Sequence, residues 1–320
     1  MDFLIRDAEG GPLCPQGSVV CIGAFDGVHL GHQALLRHAA TRAHLLGVPA
    51  VALAFEPLPR EFFAPDDPPP RLMLPRGKVL GMREAGMQGI GLLRFNREMT
   101  RMPAETFIEQ VLVNRLNARE VWVGPDFRFG HQRRGDIAML QAEGERLGFS
   151  AHAIEPFLLD GERVSSSAIR AALSSGDFAR AEKLLGRPYA IGGRVVRGKQ
   201  LGRTLGFPTA NLRFPRNPAL QGIYATRVHG IGDAPWPSVS SFGTRPTVDG
   251  VEPLLEAHLF DFDGDLYGRH IEVEFLAKLR DEAKFDSLDA LTAQMHEDAR
   301  QARAVLAMQN HKTPRRAACA

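Results

Sequence analysis

The distribution of apolar residues changes near Gly186, and this change constrains the fold more than any other feature of the sequence. Before Gly186, continuous apolar runs alternate with helix-like segments, a pattern typical of a parallel sheet that helices cover on both faces. After it, short β-like segments are separated by glycine and proline, which predicts a closed antiparallel barrel. A chain of 320 residues is long enough for both. We therefore expect an α/β domain with a Rossmann-like parallel sheet, followed by a small antiparallel β-barrel domain.

The strands predicted in the first half are continuous apolar runs, at residues 18–24, 48–55, 89–95, 120–124 and 151–154. Helices are predicted between them: one ends at Gly47, one opens at Pro103 and one covers residues 136–147. Residues 57–75 are rich in proline and aromatic side chains, and we expect a loop there that crosses the mouth of the sheet, where ligands are usually held.

The strands predicted for the barrel are shorter, at residues 189–196, 222–229, 237–242, 254–260 and 270–275. Turns are predicted at Asp249-Gly250 and Asp263-Gly264, the second as the tip of a β-hairpin. A final helix from about residue 286 to 308 carries apolar side chains at helical spacing and is expected to pack on the barrel. The predicted domains are residues 1–186, residues 187–310 and a frayed tail at 311–320.

The composition excludes several classes of protein. No apolar run is long enough to span a bilayer, and the N-terminal segment is too charged for a signal peptide, so we expect a cytoplasmic protein with no membrane partner. Cys14, Cys21 and Cys319 are an odd number without CxxC spacing, which argues against a disulfide framework and a cysteine-rich zinc site. The 39 basic and 37 acidic residues nearly balance, so nucleic acid is not an expected partner.

A glycine-rich turn joins the first strand to the first helix, as GAFDGVHLGH over residues 23–32. It matches neither GxGxxG nor a Walker A loop. The helix that follows offers free N–H groups and its positive dipole end to an anion, and His29 and His32 could donate hydrogen bonds to phosphate oxygens. Alternatively, the two histidines are surface residues or half of a zinc site, for which Cys21 is the nearest further ligand.

A second anion-binding pattern closes the same half of the chain. VSSSAIR places Ser165, Ser166 and Ser167 at a helix start and Arg170 one turn later. Simple helix capping beside a surface arginine would explain this motif alone. Its occurrence in the same predicted domain as the histidine pair favours a shared phosphate site.

The second half has its own candidate site. Glycines recur every four residues in GKQLGRTLGFPTAN, so backbone N–H groups could bind phosphates while Thr209 and Asn211 supply oxygen ligands to Mg²⁺. Both residues could instead be turn formers beside a proline. The segment FDFDGDLYG suggests a calcium loop, but Leu266 occupies the position that an EF-hand reserves for glycine, and that hypothesis fails. Glu256 lies in a predicted strand, where a glutamate is usually solvent-facing.

Taken in order, these motifs resemble one family along nearly the whole chain. GAFDGVHLGH, VGPDFRFG with RRGD, and VSSSAIR are similar to the nucleotidyltransferase half of the prokaryotic bifunctional riboflavin kinase/FAD synthetase (FMN adenylyltransferase) family. GRPYAIGGRVVRGKQLGRTLGFPTANL, GIYA, SFGTRPTVDG and LEAHLFDFDGDLYG resemble its riboflavin kinase half. The resemblance implies an enzyme that makes FMN from riboflavin and ATP in the barrel, then FAD from FMN and ATP in the α/β domain, with Mg²⁺ as cofactor.

The resemblance also implies roles for individual residues. For adenylyl transfer it implies catalytic roles for His29, His32 and Arg170, and ATP contacts by Gly23, Phe25, Asp26, Gly31, Ser165, Ser166 and Ser167. Asp126 and Phe127 would lie near the flavin or the adenylate. For the kinase it implies Glu256 as the base, ATP contacts by Gly198, Gly202, Gly206 and Pro208, and metal ligation by Thr209 and Asn211.

Two positions depart from the family pattern, Leu58 where a histidine is common and His131 where a lysine is common. They affect the placement of FMN and leave the phosphate site unchanged. Two other functions stay open: a nucleotidyltransferase for another small phosphate ester whose barrel only binds, and a flavin-binding regulator or carrier without catalysis. Nothing in the sequence identifies flavoenzyme recipients.

Overall fold

The computed structural model describes residues 2–198, 202, 205–214, 217–247 and 250–310. The chain forms two compact units, and each is described by itself. The sheet unit comprises Met1–Pro69 and Pro75–Ser166, and the barrel unit comprises Pro70–Leu74 and Ser167–Ala320. The predicted tail at 311–320 and Asp249 of the predicted turn lie outside the described residues.

Six parallel strands form the sheet, in the order β1-β4-β3-β2-β5-β6. Their bounds are Phe3–Ile5 (β1), Ser18–Ile22 (β2), Ala50–Glu56 (β3), Gly89–Arg94 (β4), Ala118–Val123 (β5) and Ser150–Ala153 (β6). Every residue of the central strand β2 is buried, as expected for a strand that is covered on both faces. The predicted α/β class is confirmed, and five of the strands lie where the apolar runs predict them. The edge strand β1 is not predicted, because three residues are too short to show a periodicity.

Helices cover the sheet, together with a short hairpin near the end of the unit. The helices are Leu30–Leu46 (α1), Pro59–Phe63 (α2), Pro75–Glu84 (α3), Arg97–Arg101 (α4), Ala104–Phe107 (α5, continued by a π-helix at Ile108–Arg115) and Ile137–Leu147 (α6); the hairpin is Leu158–Leu159 (β7) with Glu162–Arg163 (β8). As predicted, α1 ends at Gly47, which adopts a left-handed conformation with φ of 64°. The stretch predicted as a loop at 57–75 instead contains α2, because Pro59 can occupy the first turn of a helix.

The barrel unit contains a closed six-stranded antiparallel barrel and, in the described part of the chain, three helices of eight residues or more. Its strands are Ala190–Val196 (β9), Ala210–Arg213 (β10), Gly222–His229 (β11), Trp236–Thr247 (β12), Gly250–Leu259 (β13) and His270–Arg280 (β14); its helices are Ser166–Ser174 (α7), Phe178–Leu185 (α8) and Leu288–Asn310 (α9). The strand order around the barrel is β10-β13-β12-β11-β14-β9. Ala302 and Leu306 of α9 pack on a cluster that includes Ala225 and Val239, as the helical spacing predicts.

The hairpin predicted at Asp263-Gly264 is wrong. The strands on either side of that dipeptide, β13 and β14, pair with other strands and not with each other. The chain between them, residues 260–269, is a crossing loop that turns at Asp261 and Gly268, both of which have positive φ. An Asp-Gly pair indicates a hairpin only where its flanking strands are neighbours, which local sequence does not determine.

The boundary between the two compact units lies at Ser166–Ser167, about twenty residues before Gly186. Helix α8 belongs to the barrel unit because its Phe178 ring packs on Tyr224 and Phe275 of the barrel strands. Packing does not show which residues carry each activity, so the functional division at Gly186 stays a prediction. Within the described part of the chain, no helix is long and apolar enough to cross a membrane.

Candidate functional sites

The predicted histidine pair lies where β2 passes into α1. His29 is the N-cap of α1, and its Nδ1 accepts a hydrogen bond from the backbone N–H of His32 at 3.2 Å. The two imidazole rings are stacked, with centroids 3.6 Å apart and planes 16° from parallel. Because Nδ1 of His29 is an acceptor, the proton of the neutral ring lies on Nε2. The Nε2–H group of His29 can therefore donate a hydrogen bond. The residue is buried, with 5% of its surface exposed.

The environment of His32 disfavours a charged ring. Burial lowers its pKa well below the usual 6.5, and the nearby His29 and the charge of Lys78 lower it further. Lys78 lies on α3, is completely buried, and has its Nζ 3.8 Å from Oε2 of Glu56 at the end of β3. The sequence analysis did not identify Lys78. Its position four residues before the buried Met82, on the same face of α3, indicates that its side chain is buried.

The glycine-rich turn and the first part of VSSSAIR lie together within the sheet unit. Ser166 Oγ donates to the backbone oxygen of Asp26 at 3.0 Å, and Asp26 is buried. A Cβ added to Gly31 would lie 3.2 Å from the His29 ring and 3.5 Å from the backbone oxygen of Val164. The close approach of these segments explains the need for glycine at position 31. Phe25 is also buried in this turn and has a positive φ of 48°.

Ser167 and Arg170, which the sequence assigns to the same nucleotide, belong to the barrel unit. Within that unit, Nε of Arg170 donates to the backbone oxygen of Pro70 at 2.5 Å. Arg170 therefore also anchors the five-residue segment Pro70–Leu74, a contact that no sequence pattern indicated.

The residues predicted near the flavin differ in their surroundings. Asp126 is largely exposed and forms an ion pair with Arg163 at 2.8 Å, while the Phe127 ring stacks on Phe129 at 5.4 Å. Of the two departures from the family pattern, Leu58 is buried at the N-terminus of α2. The other, His131, has Nδ1 2.9 Å from the backbone oxygen of Thr100.

A cluster of phenylalanines lies at the ends of β3 and β4. Phe95 contacts the rings of Phe55, Phe62 and Phe63, with centroids 5.4 to 5.8 Å apart. Phe63 is 66% exposed, which is unusual for so large an apolar side chain. The rings contact one another edge to face, with planes 76° to 89° apart, at the carboxyl end of the sheet, where α/β proteins bind ligands.

The predicted kinase residues meet across two paired strands. The register of β10 and β13 places Asn211 opposite Glu256, and Thr209 Oγ1 donates to Glu256 Oε1 at 3.4 Å. The amide nitrogen of Asn211 donates to the backbone oxygen of Thr209 at 3.1 Å. Its Oδ1 is buried and has no hydrogen-bond partner among the described residues. A Cβ added to Gly198 would lie 2.7 Å from this oxygen, so glycine leaves room for the amide.

Two cavities adjoin these residues within the barrel unit. The first has a volume of about 400 Å³ and is lined by Pro208, Thr209, Asn211 and the crossing loop that carries Asp263 and Tyr267. The second, of about 280 Å³, is lined by Thr209, Glu256 and His258, and by residues of α9. Thr209 lines both cavities, and Glu256 lies in the second beside it. This arrangement suits transfer of a group between two ligands that meet at Thr209.

The remaining kinase glycines support the loop before β10. A Cβ on Gly202 would lie 2.3 Å from the backbone oxygen of Phe207, and Gly206 has a positive φ of 83°. The Nδ1–H of His258 donates to the backbone oxygen of Pro208 at 2.9 Å, and burial lowers the pKa of the His258 ring. Among the described residues, no group of three or more His, Cys, Asp or Glu side chains is placed to hold a metal ion.

Comparisons with known proteins match both halves of the chain. The FAD synthetase family model matches residues 12–168, and the riboflavin kinase family model matches residues 185–306. The bifunctional riboflavin kinase/FMN adenylyltransferase of Haemophilus influenzae is 45% identical over 303 residues, which cover 94% of this chain and 98% of that protein. Its counterpart in Escherichia coli K12 is 45% identical over 302 residues, covering 94% and 96%. A crystal structure titled macrolide-efflux protein, from Streptococcus pneumoniae, superposes with a TM-score of 0.74 at 30% identity, over 94% of this chain and 98% of that one.

Proposed function

The chain belongs to the bifunctional riboflavin kinase/FMN adenylyltransferase family, and from that premise we propose how its residues divide the two reactions. The enzyme phosphorylates riboflavin with ATP to give FMN, and adenylylates FMN with ATP to give FAD and pyrophosphate. The observation that carries the assignment of residues is the meeting of Thr209, Asn211 and Glu256 between two cavities of the barrel unit.

In the kinase reaction, Glu256 is the general base. Its carboxylate takes the proton of the riboflavin 5′-hydroxyl as that oxygen attacks the γ-phosphate of ATP. ATP occupies the larger cavity, which Pro208 lines. The ATP contacts of Gly198, Gly202 and Gly206 stay predictions of the family resemblance, and Gly202 lines the smaller cavity. Riboflavin occupies the smaller cavity, and its 5′-hydroxyl reaches toward Thr209 from the side of Glu256. The position of Thr209 on both cavities supports this assignment.

Thr209 and Asn211 fit the metal that the reaction requires. Mg²⁺ prefers oxygen ligands, and Asn211 Oδ1 is a buried oxygen without a partner among the described residues. Thr209 Oγ1 donates to Glu256 Oε1 at 3.4 Å and accepts from the Asn211 amide nitrogen at 3.4 Å, which leaves one lone pair for a metal ion. We assign both oxygens to Mg²⁺, which when bound would neutralise charge on the transferred phosphate.

In the adenylyl transfer, the FMN phosphate attacks the α-phosphate of a second ATP and pyrophosphate leaves, so no covalent enzyme intermediate is needed. His29 and His32 donate hydrogen bonds to the phosphates and stabilise the charge that develops on the leaving group. The turn with Gly23, Phe25, Asp26 and Gly31 and the serines 165 to 167 contact the same ATP. Arg170 joins them according to the family pattern.

The phenylalanine cluster around Phe95 extends the proposal toward the flavin. Aromatic rings with centroids 4.5 to 7 Å apart contact one another favourably, and an isoalloxazine ring could join such a cluster. We assign the cluster to the FMN ring, with Asp126 and Phe127 on the neighbouring loop closer to the phosphate end. We also place the enzyme in the cytoplasm, where Cys14 and Cys21 would stay reduced.

Two incubations test the two activities. The full-length protein is mixed with riboflavin, ATP and Mg²⁺, and with FMN, ATP and Mg²⁺, and the products are separated by chromatography. We expect FMN and FAD from the first mixture and FAD from the second. Flavin binding without either product would instead indicate a carrier, and FMN without FAD in both mixtures would indicate that the sheet unit acts on another phosphate ester.

A further inference from the structure

Lys78 is a buried cation that neither half-reaction, as assigned above, uses. Its side chain has no exposed surface, and its Nζ is 3.8 Å from the Glu56 carboxylate, which is itself mostly buried. Taking a charged pair out of water costs several kcal/mol per ion, so such a pair is retained only where its surroundings compensate it. A fully buried Nζ cannot reach a bound nucleotide without a rearrangement. Any effect of Lys78 on the reaction must therefore pass through its neighbours.

The neighbours of Lys78 include the histidine pair. The charge of Lys78 lowers the pKa of His32. A Cβ added to Gly81, one turn after Lys78, would lie 3.2 Å from a methyl group of Val28, the residue before His29. Helix α3 thus contacts the segment that sets the position of His29.

The hydrogen bonds of the pair fit neutral rings. Nδ1 of His29 accepts the backbone N–H of His32, and Nδ1 of His32 is buried without a hydrogen-bond partner among the described residues. Burying a nitrogen lone pair without a partner costs less free energy than burying an N–H group without an acceptor. His32, like His29, is therefore expected to carry its proton on Nε2. Protonating His32 would add an N–H donor that finds no acceptor, beside a stacked ring and a buried ammonium group.

We propose that Lys78 is a positioning residue of the adenylyl-transfer site, whose ammonium group, paired with Glu56, keeps His32 stacked on His29 as a neutral hydrogen-bond donor. The proposal rests on the adenylyl-transfer role assigned to the histidines. Within the sheet unit, His29 in the turn and Lys78 on α3 both lower the pKa of His32, and Glu56 on β3 lies 3.8 Å from the Lys78 ammonium group. Removing Lys78 therefore takes away one of the influences that disfavour a protonated, displaced His32.

The test compares Lys78→Met, Lys78→Arg and the charge-free pair Lys78→Met with Glu56→Gln in the full-length protein. Arg83→Met removes an exposed cation from the same helix and is the matched control. FAD formation from FMN is measured as kcat/KM from pH 5.5 to 8.5, and His32 is followed by NMR in the absence of substrates. FMN formation from riboflavin by the same samples reports whether the barrel unit is intact.

We expect Lys78→Met to lower FAD formation roughly tenfold at pH 6 and less at pH 8, with FMN formation unchanged. This loss is smaller than the roughly 100-fold expected for removing a histidine, because the donor is displaced and not deleted. The His32 signal should titrate at higher pH than in the wild type, and Lys78→Arg should restore both properties. If Lys78→Met alone fails to fold, the charge-free pair should change the His32 titration and FAD formation in the same direction but by a smaller factor, because loss of the Glu56 carboxylate offsets part of the loss of the Lys78 charge.

Two results would overturn the proposal. One is a variant with a wild-type pH profile; the other is an equal loss at every pH with an unchanged His32 titration, which would mean a merely structural lysine. Both differ from failure of the proposed function itself, in which the wild-type protein makes no FAD from FMN or His32→Ala makes it normally.

Discussion

Replacing Gly198 by alanine should impair the kinase site because the new methyl group displaces the side-chain amide of Asn211. The added Cβ would lie 2.7 Å from Oδ1, 2.8 Å from Cγ and 2.9 Å from Nδ2 of Asn211. Ordinary contacts between such atoms begin near 3.4 Å, so the amide must retreat by about 0.7 Å. Asn211 is 5% exposed, and its Nδ2 donates a hydrogen bond to the backbone oxygen of Thr209. Moving the side-chain amide therefore disturbs this hydrogen bond.

The size of the effect follows from the chemistry assigned to Oδ1. Mg²⁺ requires near-ideal octahedral geometry with ligands at about 2.0–2.1 Å, so an oxygen displaced by 0.7 Å cannot serve without rearrangement. Misplacement of a reacting group by about 1 Å can cost on the order of 100-fold, and we expect FMN formation to fall by roughly 10-fold to 100-fold. The concentration of Mg²⁺ needed for half-maximal rate should rise as well.

The assay is FMN formation from riboflavin over a range of Mg²⁺ concentrations, with FAD formation from supplied FMN in parallel. Gly232→Ala is the matched control, because a Cβ there meets no atom within 4 Å. The second reaction should keep its wild-type rate in both variants. A Gly198→Ala enzyme with normal FMN formation and an unchanged Mg²⁺ requirement would refute the assignment of Asn211 to the metal.

Four further predictions concern the two sites and their packing. Glu256→Gln should lower riboflavin phosphorylation by roughly 100-fold to 10,000-fold, the range for loss of a general base, and supplied FMN should restore FAD production; normal phosphorylation would remove its role. His29→Ala should lower FAD formation on the order of 100-fold to 1,000-fold with FMN formation intact, whereas equal loss of both would indicate misfolding.

Because the pKa of His32 is lowered on folding, the unfolded chain binds more protons below about pH 6.5, and stability should fall there by up to about 1.4 kcal/mol per pH unit. Urea unfolding of wild type and His32→Gln at pH 7.5 and 5.5 measures this loss of stability. If both proteins lose the same stability between the two pH values, the prediction is wrong. A fragment from Gly186 should be less stable than one from Ser167 by at least about 3 kcal/mol, because it lacks the buried apolar side chains of α8; equal unfolding midpoints would disagree.

The sequence alone determined the fold class and identified candidate residues, whose chemical roles stay predictions. Apolar runs of strand length, separated by amphipathic segments, specify buried parallel strands, because the period of the pattern reflects local backbone geometry. The glycine-rich turn, the serine-rich helix start and PTAN are likewise local, since helix ends and loops bind anions and cations with groups that are close in the chain. These properties can be recognised before any tertiary contact is known.

Tertiary structure decided what depends on residues far apart in the chain. Asn211 faces Glu256 because β10 pairs with β13, and β13 does not pair with β14, which is why the Asp263-Gly264 hairpin was predicted wrongly. Lys78 looks like any helix lysine until α3 buries it beside Glu56. Local patterns carry no information about which distant elements become neighbours, because that choice follows from the packing of the whole core and not from the propensities of a segment.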